Sequence, residues 1–364
     1  MQLAQIIQFL EQKFPPDHQE SYDNVGLIYG RPTQEITGAL VCLDSTEAIV
    51  DEAIETGCNL IIAHHPIVFK GLKKLNGKTY IERVVERCIQ HQIAIYAIHT
   101  NLDNHHQGVN QKIASKLGLV NTRILKPMSD KLSKLVVYVP KEDFQKVDLA
   151  ILGAGAGQIG KYSECHFRSE GIGTFTPGTD ANPVIGKINV REEVHEIKLE
   201  YIVSNHLITN VLAAMKQAHP YEEVAYELLA LLNQHQDLGA GMVGELTEPV
   251  ESLDFLKKIK EIFNCGCIKY TDLVQQKIKT VALCGGSGSF LLPDAIRAKA
   301  DLYLSADFKY HEFFDAESKL IIADMGHFES EQFTSELLTE IIKENFPNFA
   351  IRLTKLNTNP VNYL

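Results

Sequence analysis

At 364 residues the chain exceeds one ordinary core, so two or three domains are expected. Hydrophobic residues make up 45% and charged residues 22%, a globular balance that excludes a disordered chain. The net charge of −11 argues against a general nucleic-acid binder, which needs a basic face to displace counterions.

The opening segment, MQLAQIIQFLEQKF, sets Leu3, Ile6, Ile7, Leu10 and Phe14 at helical spacing. It lacks the basic stretch and cleavage site of a signal peptide. No apolar run approaches the roughly 18 residues that span a bilayer. A cytoplasmic protein without a membrane partner is expected. ALVCLD (39–44), NLIIAHH (59–65) and IAIYAIHT (93–100) read as buried strands. Between them, TEAIVDEAIETG and TYIERVVERCIQHQ carry helical periodicity, the first capped by Ser45 or Asp44 and closed by Gly57. This alternation implies right-handed crossovers and a mostly parallel sheet.

The middle changes character. LSKLVVYVP (132–140) reads as a strand and KEDFQKVDLAILGAG as a helix, followed by β-rich YSECHFRSE, VIGKINVREE and HEIKLEYIV. A helix, HLITNVLAAMKQAHP, and EEVAYELLAL complete a ferredoxin-like order. KPMSDK and NQHQDLGAG suggest boundaries near 128 and 236. TVALCGG (280–286), DLYLSAD (301–307) and KLIIADMGH (319–327) then restore strands, with helical segments near 290–298, 308–317 and 328–345. The expected architecture is a discontinuous α/β unit, 1–127 and 236–364, with mostly parallel sheets, carrying an inserted α+β ferredoxin-like domain, 128–235. Seven scattered cysteines read as reduced structural thiols, and Cys265-Gly-Cys267 as a hairpin position rather than half of a zinc ribbon.

The strand ends carry the chemistry, because ligands of open α/β sheets gather beyond the carboxyl edge. His64 and His65 stand at one such edge, His99 and Asp103 at a second, and His327 at a third, with Glu331 at i+4. On a helix, i and i+4 share a face, so His327 and Glu331 can converge on one cation. Adjacent side chains on extended backbone point oppositely, so His64 and His65 do not readily chelate one ion and can instead reach two. Asp103 and Glu331 can bridge or complete both. The expected site is a pair of divalent cations roughly 3.5–4 Å apart sharing a water or hydroxide. Nitrogen and oxygen donors suit Zn, Fe, Mn, Co or Ni without choosing among them.

The other histidines, His91, His105, His106, His166, His195, His206 and His235, read as ordinary hydrogen-bonded residues. CGGSGSF (284–290) could cradle a phosphate, although a tight strand-to-helix turn is the simpler reading. His99 reads equally as a proton shuttle or as structural. Asp307, Lys309, Tyr310 and His311 could line a pocket, or simply begin a solvated helix. His219, Glu222 and Glu223 hint at a further metal, but capping after Pro220 explains them more cheaply.

At these residues the chain resembles the Nif-three-like family, also catalogued as GTP cyclohydrolase I type 2 homologues. The matching segments are YDNVGL (22–27), LIIAHHP (60–66), HTNLD (99–103), SADFKYHE (305–312) and GHFESE (326–331). The resemblance implies that His64, His65, Asp103, His327 and Glu331 hold the metal. Tyr22 stands where many relatives carry Trp, which leaves that set untouched. GIGTFTPG (171–178) and HPYEEVAYEL (219–228) resemble the middle domain of the longer bacterial branch, implying a PII/CutA-like insert and a toroidal homohexamer. The function implied is metal-dependent hydrolysis of a nucleotide ring or a phosphoester. The alternative is a non-enzymatic metal-binding ring whose insert senses a small ligand.

Overall fold

Residues 1–364 are all described by the structure, a computed structural model. The chain divides into two compact units, Met1–Pro127 with Asp237–Leu364, and Met128–Gln236. No helix is long and apolar enough to cross a membrane.

The first unit holds two sheets. One has five strands in the spatial order Gly26–Tyr29, Ala94–Ala97, Leu60–Ala63, Ala39–Cys42 and Ile351–Leu353. Neighbours are parallel except at the Gly26–Tyr29 edge. ALVC, LIIA and AIYA are buried throughout, which is why they read as continuous apolar runs rather than as alternation. Strand geometry still sorts them by face. Val41, Ile62 and Tyr96 pack with Leu3, Ile6 and Leu10 of the Leu3–Lys13 helix. Leu40, Ile61 and Ile95 pack with Ile49, Val84 and Cys88 from helices Glu47–Thr56 and Tyr80–Gln90. The first of these helices is capped by Thr46, whose hydroxyl accepts from the Ile49 N–H at 3.3 Å, and not by Ser45 or Asp44. Gly57 ends it in the left-handed region, as its sequence position predicts.

The second sheet runs Lys269–Tyr270, Ile321–Asp324, Leu302–Ala306, Lys277–Ser287, Gly239–Glu251 and Val120–Pro127. Only its three central neighbours, Lys277–Ser287, Leu302–Ala306 and Ile321–Asp324, are mutually parallel. The remaining pairings are antiparallel, so the expectation of mostly parallel sheets fails here. The cause lies in the chain path. Val120–Pro127 leads out of the unit and Gly239–Glu251 leads back beside it, with Pro127 opposite Gly239.

The second unit is strand Leu132–Pro140, helix Phe144–Gly153, strands His166–Phe175 and Glu192–Ser204, helix Ile208–Ala218 and strand Tyr226–Ala230. Its antiparallel sheet is ordered His166–Phe175, Glu192–Ser204, Leu132–Pro140, Tyr226–Ala230, the ferredoxin-like arrangement. Leu135, Val137 and Leu199 of the sheet pack against Val147, Ile151, Val211 and Met215 of the helices.

Two local readings need correction, and a third gains detail. Only the last two residues of VIGKINVREE lie in a strand, and Val184 and Val190 are exposed on turns. The helical segment expected near 308–317 is a 3-10 helix, Tyr310–Ala316. Cys265 follows the Ser252–Ile262 helix, its N–H donating to Lys260 O at 2.9 Å, so the Cys265–Cys267 pair ends a helix and does not turn a hairpin. All seven cysteines are free.

Candidate metal centre

Beyond the Leu60–Ala63 strand the ladder continues, with the His64 and His65 N–H groups donating to Cys42 O and Leu43 O at 3.1 and 2.9 Å. The two histidines nevertheless lie in a bend, and their rings stand 4.9 Å apart. The expectation that their side chains point oppositely fails, since ligand atoms of His64, His65 and His99 lie within 4.8 Å of one another. After the Ala94–Ala97 strand, the short turn Thr100–Asp103 presents Asp103. After Ile321–Asp324, Gly326 turns the chain at φ +96° into the helix His327–Glu331.

All three imidazoles are held by their Nδ1 side. His64 donates to Ile98 O at 2.8 Å, His65 lies 2.7 Å from Asp44 Oδ1, and His327 lies 2.7 Å from Asp307 Oδ2. This pinning turns every Nε2 toward Glu331. Glu331 Oε2 is 3.0 Å from His65 Nε2 and 3.1 Å from His327 Nε2. Its Oε1 is 3.9 Å from His64 Nε2, which lies 3.5 Å from Asp103 Oδ1. The carboxylate thus addresses two donor sets, His65 with His327 and His64 with Asp103, one oxygen each.

His64 Nε2 and Asp103 Oδ1 are buried and have no hydrogen-bond partner. Such orphans cost free energy unless something satisfies them. A cation would serve the imidazole nitrogen and the carboxylate oxygen together, so the donor set fits a metal.

Electrostatics agree with that fit. Burial pushes His64 down to about 3, leaving it neutral, which is the form that binds metal. Burial raises Asp103 to about 7. For His65 burial acts downward, but hydrogen bonds to Asp44 and Glu331 outweigh it and raise the imidazole to about 10. His327 is raised to about 11, again against burial, by Asp307 and Glu331. Glu331 is held well below the carboxylate range, despite burial, by His327 and His65. In the metal-free protein, protons on two imidazoles supply the positive charge that Glu331 needs.

Sequence reasoning left out the carboxylates behind the histidines. Asp23, from YDNVGL, accepts from His99 Nδ1 at 2.8 Å, and from the Thr100 N–H at 3.0 Å and the Thr100 hydroxyl. Against burial, these contacts, His99 first, lower Asp23 to about 2. The His99 ring lies 5.2 and 5.3 Å from the rings of His64 and His65. Asp44 also accepts from the Thr358 hydroxyl at 2.6 Å, a contact no local pattern signals. Asp307 faces the cleft as a lining residue, whereas Lys309, Tyr310 and His311 do not line it.

Two other candidates resolve as structural. In CGGSGSF, the Gly285 N–H donates to Asn110 Oδ1 at 2.9 Å and the Gly286 N–H to Ser330 Oγ at 2.8 Å, so neither is open to a phosphate. The turn instead sits against the centre. At Gly286, φ +62°, an added Cβ would lie 2.2 Å from Glu331 Oε1. In the second unit His219 Nε2 bonds Tyr138 O at 3.0 Å, and Glu222 accepts from the Asn182 N–H at 2.9 Å. No helix begins after Pro220, so capping is not their role.

A cleft of about 860 Å³ opens before His65, His99 and His327. Residues 359–361 and Tyr363 form part of its wall, and Asn359 Nδ2 donates to Glu329 Oε1 at 3.1 Å.

The model of the Duf34/NIF3 (NGG1p interacting factor 3) family matches residues 1–360. A protein of Halalkalibacterium halodurans named GTP cyclohydrolase 1 type 2 homolog is 38% identical over 364 residues, covering 99% of this chain and 98% of its own. A Bacillus subtilis protein of the same name is 38% identical over 366 residues, with the same coverage of both chains. The crystal structure of a Bacillus cereus protein related to NIF3 superposes with a TM-score of 0.87 at 36% identity, covering 100% of this chain and 99% of that one. The chain belongs to the Duf34/NIF3 family.

Proposed function

We propose that this protein is a dinuclear metal-dependent hydrolase in which His64, His65, Asp103, His327 and Glu331 hold two divalent cations of the Zn, Fe, Mn, Co or Ni class. The observation that carries the reading is Glu331 divided between two donor sets, one of which contains buried polar atoms without partners. When bound, such a pair acidifies water and polarises an electrophilic carbon or phosphorus.

The remaining work falls to the protein. Ile98 O, Asp44 and Asp307 fix the imidazoles so that Nε2 faces the donor set. Asp23 holds His99 by Nδ1, which leaves its Nε2 to pass a proton within the cleft. Glu331 spans the two donor sets with a single charge. The name carried by the curated relatives points to a nucleotide ring as substrate, and phosphoester hydrolysis suits the same donors.

We also read 1–127 with 236–364 as the metal-binding domain and 128–235 as an inserted PII/CutA-like domain in a cytoplasmic toroidal homohexamer. Ferredoxin-like topology supports the insert, and exposed Tyr310 and Phe314, with ring centroids 5.5 Å apart, give an apolar spot that an assembly would cover. A second reading is a regulatory, non-enzymatic ring. What favours it is a separate cleft of about 1000 Å³ lined by the second unit's own residues, among them Phe175, Glu196 and Tyr221.

The test is elemental analysis after metal reconstitution, then turnover screening against nucleotides and phosphoesters. Fewer than about half an ion per chain would sink the metal reading. Two ions without turnover of any member of the screen would favour the regulatory ring.

A further inference from the structure

Negative charge stands in and behind the cleft wall: Asp44, Asp307 and Glu329 line it, while Asp23, Asp103 and Glu331 lie outside its lining. Asp23, Asp44 and Asp307 each accept from an imidazole of the centre, and Asp103 and Glu331 lie within the donor set. These five carboxylates outnumber the four positive charges that two divalent cations would bring, and Glu329 adds another at the wall. No arginine lines the cleft. Its one lysine, Lys269, is already engaged, with Nζ 2.7 Å from Asp324 Oδ2.

Polyphosphates are held by divalent cations, by arginine or lysine clamps, or by runs of unengaged backbone N–H groups. The clamps are absent, and the glycine turn beside Glu331 gives its Gly285 and Gly286 amides to Asn110 and Ser330. Only the cations could hold a phosphate, and the carboxylates already exceed their charge. A triphosphate would bring about four more negative charges, and each like-charge pair about 7 Å apart costs roughly threefold in affinity even at a water-like dielectric.

The apolar wall points to the remaining chemistry. Phe69, 43% exposed, presents its ring to His99 at 6.4 Å and to Tyr22 at 6.2 Å. Phe328, Val361 and Tyr363 face the same space. Exposed aromatic faces beside carboxylate acceptors suit a flat ring that carries N–H donors. We infer that the cleft takes an uncharged nitrogen heterocycle of nucleobase or nucleoside size, bound through its ring, and rejects a nucleoside polyphosphate. The inference rests on the metal-dependent reading above, and it selects ring chemistry over phosphoester hydrolysis.

The experiment is calorimetric titration of the full, metal-loaded chain with guanosine, GTP and inorganic tripolyphosphate. Free metal concentration is held constant by a metal buffer, so that chelation cannot empty the site, and metal content is measured before and after. Guanosine is expected to bind at least about tenfold more tightly than GTP, and tripolyphosphate to displace neither. Glu329→Gln, with metal content unchanged, should narrow the gap about threefold by removing one like charge. Equal or tighter binding of GTP overturns the inference, as does competition by tripolyphosphate or failure of both nucleosidic ligands to bind a fully loaded protein. A sample that never retains metal fails at the earlier step and overturns the hydrolase reading itself.

Discussion

Glu331 joins donors that stand 266 residues away in the chain, and its two oxygens do different work. Glutamine at this position keeps the shape but removes the charge and one strong donor. Glu331→Gln should therefore weaken both cations, by about tenfold or more, while His64→Ala or His65→Ala weakens mainly one; metal titration of the folded variants separates the two patterns. If both ions bind the Gln variant with unchanged affinity, Glu331 does not bridge. The protonated imidazoles set a pH dependence. His65 and His327 are raised above 6.5, to about 10 and about 11, so their stabilisation of the metal-free fold is complete below about 6.5 and is lost as pH rises through those values. Metal-free protein should lose thermal stability between roughly pH 7 and pH 11, metal-loaded protein should lose less, and metal uptake near neutrality should release protons. Titration calorimetry in two buffers of different ionisation heat checks the release. The metal-site candidates were legible because His64, His65, Asp103 and His327 stand beside strand ends with Glu331 one turn on. The carboxylates behind them were not, since Asp23 lies 76 residues from His99 and Asp44 lies 21 from His65.

Among the elements, the turn after the Lys277–Ser287 strand bears most directly on the site. Gly286 combines a left-handed backbone with an approach to Glu331 that leaves no room for a methyl group. Gly286→Ala should cost about 1–3 kcal/mol of stability and reduce metal affinity, whereas Gly57→Ala, where a Cβ meets nothing within 4 Å, should cost stability with metal affinity intact. Urea unfolding alongside metal titration distinguishes the two outcomes. Equal metal affinity in both variants would show that Gly286 serves the backbone alone. Strands such as LIIA and AIYA were readable because a run buried on both faces has no other use in a short segment. VIGKINVREE misled because Val and Ile favour strands in the same way when they sit on an exposed turn. The Thr46 cap was misplaced by one residue from Ser45, since neighbouring hydroxyls offer the same capping chemistry.

For the whole molecule, Pro127 and Gly239 are register partners on adjacent antiparallel strands, a separation of about 5 Å that a short turn can span. A chain in which such a turn replaces Met128–Gln236 should fold and still take up two cations, as read by elemental analysis and circular dichroism. A folded shortened chain that takes up no metal would show that the centre depends on the insert. The same interruption has a consequence during synthesis. At translation rates of about 5–20 residues per second, the 266 positions between His65 and Glu331 take roughly 13–53 s to make. For most of that interval His64, His65 and Asp103 have been made without the carboxylate that faces both donor sets. On the metal-dependent reading proposed above, an ion caught early would be held by half a site and could exchange with the cell's metal pool. On that reading, the identity of the metal would be settled only after Glu331 arrives.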